Sequence, residues 1–320
     1  MRTAAEKTGK WSVSLPKGIV ACLLVCVLLL AAGCSMENGI SPSASADDSS
    51  VIADAGSGGT VAVDVSGRMR ADFLDIGKAD CIVIRSDSQT AVVDTGYEDT
   101  SQTVLDYLES EGVEEIDYLI LTHFDKDHVG GAAALIEAYD IGMILQPDYS
   151  ADEEDSKPYR LYEAAVEKYD HNPVTVKETL TLIMEDIVFT IYPPEKLEYD
   201  SDKDNNRSLV TVVQHGDVRM LLAGDAEKER IDEILTGIPD LESDLLKVPH
   251  HGHEEKNSEE LFKAADAQYA VICADRDDGK DGPDEDIIEA LEDGGTEVFV
   301  TGDGIVQAVS DGKSLNVSQK

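Results

Sequence analysis

From about Met69 onward the chain alternates between two hydrophobic periods. Short apolar runs, rich in β-branched residues and bounded by Gly, Asp and Asn, recur along it. Between many of them stand longer stretches whose apolar residues fall three and four apart. The first period predicts strands over 70–76, 81–85, 91–93, 118–121, 142–145, Ile187–Tyr192, 209–214, 218–223, 244–248, 268–273, 296–300 and 305–309. The second predicts helices over 100–111, 132–139, 159–169, 226–236, Ser258–Ala265 and 284–293. Turns such as His215-Gly-Asp217 and Asp311-Gly312 join some strands as hairpins. Hairpins mixed with helices exclude a purely parallel doubly wound sheet. They fit an α/β sandwich of two mixed β-sheets with helices outside. Each half runs strands and then helix, without an internal repeat. Residues 148–158 form a long acidic loop that is expected to border the functional site.

The N-terminus follows a different pattern. Arg2, Lys7, Lys10 and Lys17 lead into an apolar run over 19–32, and Leu30-Ala-Ala-Gly-Cys34 follows. The run is too short to read as a spanning helix. It resembles a bacterial lipoprotein signal, cleaved before Cys34, whose thiol is then lipidated. An ordinary signal peptide or an uncleaved anchor would also export the protein and keep it at a membrane. Residues 34–66 are rich in Ser, Ala, Gly and Asp without apolar periodicity, the composition of a flexible tether. The expected organisation is thus a signal peptide over 1–33, a tether over 34–66 and one folded domain over 67–320. The expected location is the outer face of the bacterial cytoplasmic membrane.

Composition narrows the chemistry. At 320 residues and 42% hydrophobic, the chain is ample for one sizeable core. Three of its five cysteines lie in the first 34 residues. Cys81 and Cys273 sit inside strand-like runs, which favours buried free thiols over a bridge or a metal site. The formal net charge is −40. Removing residues 1–33 takes away four Lys/Arg and one Glu and leaves −43. No basic cluster offsets it, which argues against a stable complex with long nucleic acid. Hydrolysis of phosphodiesters is still allowed, because a bound dication reverses the field locally.

The chemistry concentrates in Thr122-His-Phe-Asp-Lys-Asp-His-Val-Gly-Gly131. His123, Asp125, Asp127 and His128 leave the end of an apolar strand together on a tight loop, where several lone pairs can converge on a metal. Adjacent side chains such as Asp127 and His128 normally diverge, so the loop must be irregular, and Gly130-Gly131 relaxes the backbone after it. Other strands end in the same style. Thr90-Ala-Val-Val-Asp-Thr-Gly96 ends in an acid and a glycine, Met220-Leu-Leu-Ala-Gly-Asp225 in Gly-Asp, and Leu245-Leu-Lys-Val-Pro-His-His-Gly252 in a histidine pair. His171 and His215 read as solvated histidines.

In this order the motifs resemble the metallo-β-lactamase-fold hydrolases, and within them the soluble hydrolase domain of the competence DNA-uptake protein ComEC. Phe73-Leu-Asp-Ile-Gly-Lys-Ala-Asp80, Asn206-Arg-Ser-Leu-Val210 and Lys247-Val-Pro-His-His-Gly252 carry the narrower likeness. It runs from about Met69 to Leu315. The resemblance implies a four-layer αβ/βα sandwich and two divalent metal ions, zinc or manganese. It implies one site from His123, Asp125 and Asp225, and another from Asp127, His128, Asp225 and either His250 or His251; the spacing favours His251. No histidine stands at the remaining position of the first site. Asp94 is expected to orient a ligand histidine, and Asn206, Ser208 and His253 to contact ligands or substrate. Two departures stand beside the cleft: His253 follows the His-His-Gly, and Asp281-Gly-Pro283 replaces a Gly-His-Pro.

The expected activity is binuclear metal-dependent hydrolysis of a phosphodiester in nucleic acid, nucleotide or envelope polymer, with Asp127 and Asp225 central. The metals would lower the pKa of a bridging water to give hydroxide near neutral pH. Another small ester or amide, such as a thioester or lactam, is an alternative substrate. The rival of another class is a non-catalytic lipoprotein that keeps metal for stability. Oligomeric state has no signature here.

Overall fold

The computed structural model describes residues 51–52, 67–151, 156–199, 204–276, 279 and 282–320. The expected signal peptide and Cys34 lie outside them, as does Asp281. So does the expected tether, apart from Val51–Ile52.

In chain order the elements are β1 (Val51–Ile52), β2 (Met69–Phe73), β3 (Ile82–Arg85), β4 (Thr90–Val93), α1 (Ser101–Ser110), β5 (Glu115–Ile120), α2 (Lys126–Val129), α3 (Ala132–Ala138) and β6 (Asp140–Pro147). Then come α4 (Lys157–Lys168), β7 (Val174–Val176), β8 (Leu180–Met184), β9 (Ile187–Tyr192), β10 (Val210–His215), β11 (Val218–Leu222) and α5 (Lys228–Gly237). Last are β12 (Leu245–Lys247), α6 (Ser258–Ala265), β13 (Tyr269–Ile272), α7 (Glu285–Asp293), β14 (Glu297–Val300), β15 (Val306–Ser310) and β16 (Leu315–Gln319). Short 3-10 turns cover Asp204–Arg207, Pro249–Gly252 and Thr301–Asp303.

The strands form two sheets, ordered β16-β15-β2-β3-β4-β5-β6-β7 and β1-β8-β9-β10-β11-β12-β13-β14. Each begins as an antiparallel meander and continues as a parallel run. In the first sheet β2, β3 and β4 pair antiparallel, and β4 to β7 pair parallel. In the second the change falls at β11. The parallel strands need crossovers, and the helices supply them.

Side-chain alternation sorts residues into layers. In β3 and β4, Ile82, Ile84, Ala91 and Val93 face the core between the sheets, and Val83 and Val92 face the helices. In β5, Tyr118 and Ile120 point to the central core, and Ile116 and Leu119 to α1, α3 and α4. In the second sheet Val218, Met220, Leu222 and Leu245 point inward, and Leu221 and Leu246 pack with Ile231 and Ile234 of α5. The period of two therefore buries both faces. The result is the four-layer αβ/βα sandwich.

Four strands escaped the sequence reading, the first of them β1, which lies in the stretch read as a tether. β7 is short, and β16 is an edge strand with one face open, so neither holds an apolar run. β8 alternates Leu180, Leu182 and Met184 with half-exposed residues. His215 is also corrected: it is fully buried, with Nδ1 2.8 Å from Ser310 Oγ, rather than solvated.

Candidate metal centre

The motif residues leave the carboxyl ends of β4, β5, β11 and β12, the end of an open sheet where loops converge. Asp94 follows β4 with a left-handed φ of 56°. This turn aims its carboxylate at the end of β5. There Asp94 accepts the Thr122 amide at 2.8 Å and the Thr122 hydroxyl at 2.6 Å, and it lies 2.8 Å from His128 Nδ1.

The histidine segment is not simply a loop. Asp125 is extended, and Lys126–Val129 make one helical turn, α2. Gly130 and Gly131 have right-handed backbones, φ −58° and −84°, so they do not relax the chain as expected. They permit close approach instead. A Cβ on Gly130 would lie 2.3 Å from the Lys126 carbonyl and 2.5 Å from the Glu98 nitrogen; one on Gly131 would lie 2.4 Å from the Thr95 carbonyl.

His123, His128 and His251 are fully buried, and each has a hydrogen-bonding partner at Nδ1. His128 uses Asp94, and His251 uses the Cys273 carbonyl at 2.8 Å. His123 Nδ1 meets Thr122 Oγ1 at 3.0 Å. Because that hydroxyl donates its proton to Asp94, it is left to accept from His123. With Nδ1 so engaged, all three rings present Nε2 forward.

Those three Nε2 atoms are buried without a hydrogen bond. Yet His128 Nε2 and His251 Nε2 stand 3.1 and 3.0 Å from one oxygen, Asp225 Oδ2. His251 Nε2 is also 3.5 Å from Asp127 Oδ2. Bonds of about 2.0–2.2 Å to a tetrahedral ion hold ligand atoms about 3.3–3.5 Å apart, so a small outward shift of these groups would make room for one. The donor set fits a divalent cation. The His123 and His128 ring centroids are 4.0 Å apart, and His123 Nε2 is 3.9 Å from Asp125 Oδ2.

Asp80, His128, Asp225 and His251 each place one ligating atom within 4.8 Å of the others. Asp80 nevertheless faces the Nδ1 side of both rings, 3.6 Å from His251 and 3.9 Å from His128. It is engaged by Lys247, whose ammonium lies 2.5 Å from Asp80 Oδ2, 3.4 Å from Asp225 Oδ1 and 3.0 Å from the Gly224 carbonyl. Asp225 is therefore divided: Oδ1 meets Lys247, and Oδ2 meets the two imidazoles.

Charge balance sets the protonation. Burial opposes the Lys247 ammonium, but Asp80 and Asp225 outweigh it and raise its pKa. Burial would raise the Asp225 carboxyl; His128, His251 and Lys247 drive it well below the carboxylate range instead. The Asp127 carboxyl is likewise lowered, against burial, by contact with His251 and by His128.

Several expected site residues lie elsewhere. His250 is turned away from Asp225; its neighbours are Glu255, Glu227 and Asn205. His250 and His251 both have left-handed backbones, φ 48° and 54°, and this strained turn separates their rings. Asn206 faces α5, accepting from the Arg230 amide and donating to Glu229. Ser208 does reach the centre, with Oγ 3.4 Å from His123 Nδ1 and accepting from the Asp225 amide. His253 lies on the rim, 3.8 Å from Asp284. Tyr149, in the acidic loop, accepts from the Phe124 amide, so the described part of that loop borders the centre.

Asp80, Lys247 and Asp204 were not singled out from sequence. A lysine inside the buried run Leu245–Lys247 was the available signal for the first two. Asp204 has its carboxyl raised by burial and by the charge of Asp125, against the lowering effect of its ion pair with Arg207 at 2.6 Å and, less, of His123.

A profile of the metallo-β-lactamase superfamily matches residues 74–275. The chain is 26% identical over 249 residues to ComE operon protein 3 of Bacillus subtilis, covering 71% of this chain and 31% of that one. It is 27% identical over 212 residues to Recombination protein 2 of Haemophilus influenzae, covering 65% and 24%. It thus spans less than a third of the length of these relatives. Among solved structures it is similar to a CmlA β-hydroxylase variant, with a TM-score of 0.50 and 14% identity over 79% of this chain and 54% of that one, a likeness of fold. The match spans the strands whose ends carry the buried imidazoles and acids, and this chain belongs to the metallo-β-lactamase superfamily.

Proposed function

We propose that the protein is an exported, membrane-tethered hydrolase of phosphodiesters that works with two divalent cations, zinc or manganese. The carrying observation is the set of three buried imidazoles whose unbonded Nε2 atoms face Asp225 and Asp127. Bound divalent cations supply Lewis acidity and an activated water. His128, His251, Asp127 and Asp225 would hold one ion; His123, Asp125 and Asp225 the other. Asp94 fixes the tautomer of His128 directly and that of His123 through Thr122. Asp127, kept ionised, is placed to accept a hydrogen bond from the attacking water and so orient it. Lys247 restrains Asp225 so that one oxygen faces the imidazoles.

Similarity to proteins named for competence and recombination, processes that handle DNA, is what favours a phosphodiester over other esters in this reading. The strong negative charge favours small or exposed diesters over duplex DNA. Metal analysis with turnover of bis-p-nitrophenyl phosphate tests the reading. Hydrolysis that chelation abolishes and zinc or manganese restores is expected; a metal-loaded protein without turnover would refute it. Tethering through Cys34 predicts that Cys34→Ser leaves an unprocessed or released form, and membrane retention of a correctly cleaved variant would contradict it.

A further inference from the structure

His250, turned away from the central cluster, enters another. Glu227, His250 and Glu255 each place one ligating atom within 4.8 Å of the others. His250 Nδ1 is 3.4 Å from Glu255 Oε1 and 4.0 Å from Glu227 Oε1. The first is long for a hydrogen bond and close to the spacing of ligands around one ion; the second is wider than either and would have to close on an ion.

Asn205 gives an independent sign. It is 7% exposed, and its amide nitrogen faces Glu227 Oε1 at 3.0 Å and His250 Nε2 at 3.3 Å. Its carbonyl oxygen is buried without a partner. Rotating the amide by half a turn exchanges oxygen and nitrogen without changing shape. The oxygen would then face a carboxylate, which is repulsive unless a cation lies between them. A cation would satisfy the orphaned carbonyl and draw the long contacts together.

We propose that Glu227, His250, Glu255 and Asn205 bind a third divalent cation, distinct from the centre built on Asp225. Carboxylate, imidazole and amide donors suit manganese or zinc. The side chains of His250 and Glu255 are each 18% exposed, so the ion would be reachable from solvent. It would also brace the left-handed His250-His251 turn and so help hold His251 toward Asp225.

The test is anomalous diffraction from crystals of the full chain equilibrated with manganese, paired with ion counts for the protein and for Glu227→Gln/Glu255→Gln. A peak between Glu227, His250 and Glu255, and one ion fewer per chain in the double variant, are expected. No peak there while the central site is filled, or equal ion counts in both proteins, would overturn the proposal. If the double variant fails to fold, His250→Gln serves in its place, and the diffraction peak decides without any variant. Diester turnover is read separately: an inactive protein with this peak refutes the proposed function alone, and an active one without it refutes the third site alone.

Discussion

Lys247 carries its ammonium into a space already occupied by Asp80 and Asp225. Removing one partner of a buried ion pair leaves charge uncompensated and costs about 3–5 kcal/mol. Lys247→Met should lower the unfolding free energy of the metal-free protein by that amount, and Asp80→Asn in the same chain should recover part of it. Urea titrations of the two single variants and the double variant check this; additivity within about 0.5 kcal/mol would deny the pairing. His251 sets a pH dependence. Burial disfavours its imidazolium, but Asp225, Asp127 and Asp80 outweigh burial and hold its pKa up to about 9, above the ordinary 6.5. The folded metal-free protein therefore gains stability that is complete below pH 6.5 and lost as pH rises through about 9. A metal at Nε2 displaces this proton, so metal affinity should rise with pH up to about 9, roughly tenfold per unit for each proton released. Calorimetry in buffers of different ionisation enthalpy measures the release. A pH-independent affinity without proton release would contradict ligation by His251.

At the scale of elements, α2 reaches the centre only because its following glycines let it settle on the loop after β4. Gly130→Ala places a methyl against three backbone atoms within 2.6 Å and should cost about 3 kcal/mol or more. Gly112→Ala, at φ 71° with open space around it, should cost only about 1–2 kcal/mol. Chemical denaturation compares them, and equal losses would show that conformational freedom, rather than close approach, is what Gly130 provides. The central strands were legible because both their faces are buried and their residues are apolar throughout. Edge strands β7 and β16 were not, since one open face removes half of the signal. The clustered histidines and acids were legible because polar residues at the end of an apolar strand have no role in packing. The opposed directions of His250 and His251 were not, because they depend on two consecutive left-handed residues that no composition announces. Nor was the role of the glycine pair, since a missing side chain looks the same in sequence whether it gives flexibility or space.

For the whole molecule, charge governs substrate access. A chain with a formal net charge of −40 repels a polyanion, and repulsion between exposed charges weakens as salt shortens the Debye length to about 8 Å near physiological strength. Any cleavage of duplex DNA should therefore rise with added salt, the reverse of a basic nuclease. Hydrolysis of a small diester should barely respond. Initial rates on both substrates across a salt series check this; duplex cut faster than the small diester, and more slowly as salt rises, would require a basic groove. The two halves of the molecule meet in the centre: the first sheet supplies His123, Asp127 and His128, and the second supplies Asp225 and His251.

Turnover of bis-p-nitrophenyl phosphate by metal-loaded Asp127→Ala, compared with the unaltered protein at equal metal content, tests this junction most directly. Asp127 lies on α2 at the surface of the core, so the fold should persist while water orientation is lost. A fall of about 100-fold or more with the fold intact is the expected result. Unchanged turnover at saturating metal would contradict the account.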